Sequence, residues 1–304
     1  MRLSFQYTWI LCLGLAYAAP LVPRDGASYC FGNVKGNASK ISCPASAGGS
    51  CLLVESAQTT IVQNFTLGKT KTTGFVAVDD TNKLVVVSIQ GTAIRSNPID
   101  IVTDIDAIRV NTDLCGNTTA NDGCEIHQGF WNAMNDVQDI VKSTIAGALA
   151  THPNYTVIST GHSLGGAVAA LLGATLRNNG TNVDIYTYGQ PKLGTVDVSN
   201  FIQNQAPSKG SNYRVTHFND IVPQLPPHSI DDWDHYYPEF FINLDTGAPK
   251  ATDIIRVDAT LFSTAGNEGK TTGDGIIADV IAGISAHRQY FGNISRCDPS
   301  APDS

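Results

Sequence analysis

Five consecutive residues, Gly161-His162-Ser163-Leu164-Gly165, set a serine between two glycines. A serine hydroxyl is a weak nucleophile at neutral pH. It becomes effective when a base takes its proton and an acid orients that base. Gly-x-Ser-x-Gly serves this chemistry when a strand runs into it and a helix runs out: the sharp turn exposes the hydroxyl, and the glycines let strand and helix pass closely. The alternative is a glycine-rich turn before an ordinary helix, so the flanks decide. Tyr155-Thr156-Val157-Ile158-Ser159-Thr160 reads as a strand. Ser163 to Arg177 reads as an Ala-rich helix stopped by Asn178-Asn179-Gly180.

In the fold that carries such an elbow, an acid and then a histidine follow the serine along the chain. Of seven histidines, His217, His228, His235 and His287 follow Ser163. Asp220 lies on the loop Asn219-Asp220-Ile221-Val222-Pro223, just after a strand over Tyr213 to His217. Loops at the C-terminal ends of strands are where open α/β sheets gather reactive groups. Asp231, Asp232 and Asp234 are rivals for the acid, but their run reads as a solvated loop. Order and placement select Asp220 as acid and His287 as base. The tetrahedral oxyanion needs two donors. One is the backbone N–H of Leu164, the residue after the nucleophile, at a helix N-terminus that favours negative charge.

The elements that position these groups are legible as strand and helix in alternation. Gly74 to Val78 and Lys83 to Ile89 form a hairpin feeding a buried central strand, with the turn at Asp79-Asp80-Thr81-Asn82. From Trp131 to Ala150, the residues Ala133, Val137, Ile140, Val141, Ile145 and Leu149 recur at helical spacing, and His152-Pro153 ends the run. Val183 to Tyr188 is a further strand, followed by a polar, helical stretch. The pattern predicts an α/β fold, a mostly parallel central sheet flanked by helices, in one domain over residues 19–304.

Composition sets the setting. The 304 residues are 42% hydrophobic and 15% charged, a globular balance. The net charge of −8, with no basic cluster, argues against nucleic acid as a partner. Residues 1–18 read as a secretory signal peptide: Arg2, an apolar run from Tyr7, then Ala16-Tyr17-Ala18. That run is too short to span a membrane, so the expected mature protein is soluble and extracellular. Beyond Cys12, six cysteines remain: Cys30, Cys43, Cys51, Cys115, Cys124 and Cys297. An even number in an exported chain points to three disulfides, and spacing alone leaves fifteen pairings open. Neither C-x-x-C nor a Cys/His cluster supports a metal site, and the chemistry calls for no cofactor. Glycosylation sequons begin at Asn37, Asn64, Asn117, Asn154, Asn179 and Asn293.

Several motifs together carry a resemblance: GHSLGGA at the elbow, HQGF at 127–130, TYGQPKLG at 187–194, YRVTHFNDIVPQLPP at 213–227 and HRQYFG at 287–292. In this order they resemble the filamentous-fungal class 3 lipases, a group of Rhizomucor- and Thermomyces-type lipases, mono- and diacylglycerol lipases and type A feruloyl esterases. The resemblance implies an α/β-hydrolase fold with a short lid and a triad of Ser163, Asp220 and His287. It also implies disulfides Cys30–Cys297, Cys43–Cys51 and Cys115–Cys124. The family places its second oxyanion donor on a Ser or Thr of an Arg-Gly-Ser/Thr motif after a central strand. Gln90-Gly91-Thr92 stands there, which makes Thr92 the donor and puts Gln where the family has Arg. The lid should occupy residues 93–102, where Pro98 disfavours helix at Asn97 and no Trp occurs. The implied function is a secreted, monomeric acylglycerol lipase that touches a lipid–water interface through its lid. A feruloyl esterase and an inactive hydrolase-fold binding protein are the alternatives.

Overall fold

The run Leu84-Val85-Val86-Val87-Ser88-Ile89 is buried along its whole length, as a strand covered on both faces must be. Its side chains alternate between two apolar clusters. Val85, Val87 and Ile89 face one, and Leu84 and Val86 face the other with Ile158, Tyr186, Val215 and Ile242. The computed structural model describes residues 39–40, 59–91, 108–116, 123–229, 231–245, 247, 249–259, 262–269 and 283–291. The expectations for residues 1–18, Thr92, the segment 93–102, Cys30, Cys43, Cys51, Cys297, Asn37, Asn117 and Asn293 lie outside the described residues.

In chain order the main elements are β1 (Ser39–Lys40), β2 (Thr60–Leu67), β3 (Thr72–Asp79), β4 (Leu84–Ile89), β5 (Arg109–Asn111), β6 (Glu125–His127), α1 (Gln128–Thr151) and β7 (Thr156–His162). They continue with α2 (Leu164–Asn178), β8 (Val183–Tyr188), β9 (Gly194–Thr195), α3 (Val196–Gln205), β10 (Asn212–His217), β11 (Trp233–Asp234), β12 (Glu239–Ile242) and β13 (Ile254–Val257). The main sheet has the order β1-β2-β3-β4-β7-β8-β10-β12-β13. Strands β4, β7, β8, β10 and β12 are parallel, and the edges are antiparallel. This is the expected sheet, and its parallel centre puts the C-terminal ends of β7 and β10 side by side with only β8 between them.

Helix α2 is buried almost throughout, and its small residues allow that: it packs between the sheet and α1. Helix α1 buries Phe130, Ala133, Met134, Val137, Val141, Ile145 and Ala148, one stripe at helical spacing. It begins three residues before the expected Trp131, because His127 caps it: Nδ1 accepts from the Phe130 N–H at 3.3 Å.

A second, four-stranded antiparallel sheet has the order β11-β9-β6-β5. Arg109 ties it together, 3.0 Å from Glu125, 2.6 Å from Asp232, paired with Asp231 and stacked over Trp233. Here one expectation is corrected. Asp231 and Asp232 are exposed or half-buried, but Asp234 is not solvated: the β11–β9 pairing buries it, and its carboxylate accepts the His235 and Phe262 amides. Cys115 and Cys124 are bonded, with S–S 2.04 Å, and Asn64, Asn154 and Asn179 are exposed.

Candidate active site

Strand β7 runs out of the sheet through Gly161 and His162 and turns into α2 at Ser163, whose φ of 58° and ψ of −133° lie in a region a side chain rarely occupies. The turn is tight enough to explain both motif glycines. A Cβ on Gly161 would lie 2.3 Å from the Gly165 carbonyl oxygen, and one on Gly165 would lie 2.5 Å from that of Ile89. The Ser163 N–H is fixed on the Tyr188 carbonyl at 2.9 Å. Leu164 opens α2, so its N–H belongs to the first turn, where amides have no acceptor within the helix. On the neighbouring strand end, Gln90-Gly91 comes so close that a Cβ on Gly91 would sit 3.4 Å from that of Ser163.

Asp220 leaves the end of β10, and His287 comes back to it from the far end of the chain. Both are fully buried. The His287 Nδ1 is 2.8 Å from Asp220 Oδ2 and 3.0 Å from Oδ1. Each carboxylate oxygen has another donor: the Val222 N–H reaches Oδ1 at 2.9 Å, and the Tyr290 hydroxyl donates to Oδ2. Burial, reinforced by the Asp220 charge, pushes the Tyr290 phenol well above its ordinary value, so it remains a donor. The far ring nitrogen of His287, Nε2, and the Ser163 hydroxyl are both buried and make no hydrogen bond among the described residues. They belong to one neighbourhood. The His162 and His287 ring centroids are 4.3 Å apart, and a Cβ on Gly189, one residue past the Tyr188 carbonyl that holds Ser163, would strike both His287 and Asp220.

A model of the family described as Lipase (class 3) matches residues 86–230. The secreted mono- and diacylglycerol lipase A of Penicillium cyclopium is 33% identical, over 96% of this chain and 95% of its own. The chain belongs to the class 3 lipase family. Another relative, the secreted mono- and diacylglycerol lipase 1 of Fusarium solani, is 32% identical over 90% of this chain and 75% of its own. The crystal structure of mono- and diacylglycerol lipase from Aspergillus oryzae superposes with a TM-score of 0.77 at 30% identity, over 98% of this chain and 100% of that one. The fold is that of the α/β-hydrolase lipases.

In this class 3 lipase the other histidines after Ser163 have separate places. His217 is buried at the end of β10, with Nδ1 on the Phe218 carbonyl at 2.8 Å and its ring edge-on to Tyr290. His228 reaches Glu268 at 3.1 Å, and His235 reaches the Pro223 carbonyl at 2.7 Å. The last two belong to a second buried polar cluster. Lys192, fully buried, donates to the carbonyls of Gln224 and Pro226 and to Glu268. Beside it, Arg214 pairs with Glu239 at 3.5 Å, and Glu239 also accepts from Thr216 and from the Asn267 N–H. Asn267 joins this cluster to Asp220: its side-chain amide donates to the carbonyls of His217 and Asp220, each at 2.8 Å. Sequence reasoning missed Tyr290, Asn267, Lys192 and Glu239. Only Tyr290 carried a signal, its place three residues after His287.

Proposed function

We propose that Ser163, His287 and Asp220 act as nucleophile, base and acid in hydrolysis of carboxylic esters, with acylglycerols as substrates. The observation that carries this is the buried His287–Asp220 pair beside a strained elbow serine. The Ser163 Oγ attacks the ester carbonyl while its proton moves to His287 Nε2. Asp220 holds Nδ1–H and stabilises the imidazolium. The negative oxygen of the tetrahedral intermediate accepts from the Leu164 N–H and from the amide of Thr92, the residue after Gly91. Collapse breaks the bond to the alcohol, which leaves with the proton from Nε2. Water then gives its proton to Nε2 and attacks the acyl-enzyme, and the second collapse releases the fatty acid and restores the serine.

The family and the secreted relatives support an exported lipase. We propose further that it acts as a monomer and meets its lipid through residues 93–102. Among the described residues, no helix is long and apolar enough to cross a membrane. Replacing Ser163 by Ala should lower turnover of p-nitrophenyl butyrate by about 10⁴–10⁶-fold, with the urea unfolding midpoint unchanged or raised, since a buried hydroxyl with no bond is removed. Retained turnover would overturn the assignment. On wild type, monoacyl- and diacylglycerols should be cleaved faster than methyl ferulate; the reverse order would overturn the substrate class.

A further inference from the structure

His162 has a role that its place in the elbow motif does not require. Its ring is buried, and Nε2 lies 2.8 Å from the backbone carbonyl oxygen of His287. A carbonyl only accepts, so Nε2 carries the hydrogen and donates. We infer that His162 is a positioning residue for the base: it pins the His287 backbone to the elbow and thereby fixes the imidazole relative to Ser163. The inference rests on the assignment of Ser163, Asp220 and His287 given above.

The reason is mechanical. Residues 283–291 reach the sheet from outside it, and two of their ties, from His287 Nδ1 and the Tyr290 hydroxyl, end on the Asp220 side chain. A side chain held only at its ring still moves with its backbone. The His162 bond is a third tie, to the backbone itself, and it comes from the residue bonded to the nucleophile. The donor is itself rigid. His162 closes β7 opposite Tyr188 of β8, and its own carbonyl oxygen lies 2.6 Å from where a Gly91 Cβ would stand. Its ring lies against His287, with centroids 4.3 Å apart, and edge-on to Tyr290 at 5.6 Å. One residue therefore touches the nucleophile, the turn leading to Thr92, and the base.

The ring can do this without opposing the chemistry. Burial, and then the neighbouring His287, hold the His162 pKa well below its ordinary value. The ring stays neutral when His287 takes up the serine proton, so no second positive charge faces the imidazolium. Other titratable groups around it are Asp220 and the Tyr290 phenol, with His217 on the far side of Tyr290.

The test compares His162→Gln, whose amide can donate to the same carbonyl, with His162→Leu, which cannot. Rates on p-nitrophenyl butyrate are normalised to sites labelled by a fluorophosphonate, which removes unfolded protein from the comparison. His162→Leu should lower kcat by about 10–100-fold, the scale of a misplaced catalytic group. KM should stay within about twofold. The rate of fluorophosphonate labelling should fall in parallel, and the acid limb of the kcat/KM profile should move. His162→Gln should recover most of the loss. The inference is overturned if both variants match wild type, or if both lose activity equally with an unmoved pH profile. A Ser163→Ala control separates the two claims: activity surviving there sinks the triad assignment, whereas an inactive control beside normal His162 variants sinks only the positioning role.

Discussion

Two buried polar regions lie side by side in this lipase, and they differ in how their charged and reactive groups are partnered. Around Lys192, Arg214, Glu239 and Glu268, each charge meets an opposite charge, and backbone carbonyls or amides take up further bonds. Around Ser163, the hydroxyl and His287 Nε2 are buried with no bond to the described residues, and the serine backbone is strained. An unsatisfied buried polar atom costs about 1–3 kcal/mol, and a strained backbone a similar amount. The first region has the character of structure, where buried charge is tolerated because it is paired, although His235 Nδ1 and Asn267 Oδ1 make no hydrogen bond among the described residues. The second has the character of a site, and in the proposed assignment the missing partners come with the reacting ester. Asn267 belongs to both, bonded to Glu239 on one side and to the carbonyls of His217 and Asp220 on the other.

The contrast breaks most severely at Arg214. Replacing it by Met leaves Glu239 buried without its counter-charge, which should cost about 3–5 kcal/mol of stability. Urea unfolding measures that loss, and kcat per fluorophosphonate-titrated site should stay within a few-fold of wild type. A variant that keeps its stability but loses its turnover per site would place Arg214 with the catalytic groups and dissolve the division.

Asn267→Ala should show both signatures at once, each smaller. Its two side-chain bonds hold the loop that carries Asp220, so their loss should cost about 1–3 kcal/mol in urea unfolding. With the acid less well fixed, kcat per titrated site should fall about tenfold, since a group displaced by an ångström costs up to about a hundredfold. An effect on stability alone would mean that the charged cluster and the acid loop are mechanically independent.

The same division separates what was legible in the sequence from what was not. Serine, acid and base are demanded by the chemistry and come in a fixed chain order, and Gly161 and Gly165 are demanded by the close passage of strand and helix. Their catalytic roles are those proposed above; the elbow at Ser163 and the meeting of Asp220 with His287 could be read from residue types and spacing. Asn267 could not, because it acts on a carbonyl 47 positions away and nothing in its own neighbourhood marks it. Asp234 was misread for a related reason. A run holding three acids has the look of a solvated loop, and only the pairing of β11 with β9, set by distant chain, buries the third. Strand β12 was missed because it is four residues long and starts on Glu239, whose charge hides the pattern until Arg214 is seen beside it. His162 stood inside the motif from the start, but its bond partner is 125 positions away.

The smallest expected effect is a slope. Each region contains a buried histidine held well below its ordinary pKa: His162 by burial and then His287, His235 by burial and then Arg214 and Lys192. His217, beside the acid, is lowered by burial as well. The sign follows from proton counting. Below about pH 6.5 the unfolded chain takes protons on these rings that the folded chain refuses, so the unfolded state binds more protons and stability rises with pH. The stability is therefore fully present above about pH 6.5 and is lost as pH falls from there toward the folded-state values. Each ring contributes about 1.4 kcal/mol per pH unit in that window. Urea unfolding from pH 7 to pH 5 should thus lose stability with a slope of several protons, and His235→Gln should remove about one of them while leaving the pH profile of kcat in place. If His235→Gln shifted that profile too, the charged cluster would be coupled to the titration of the base, and the two regions would be one.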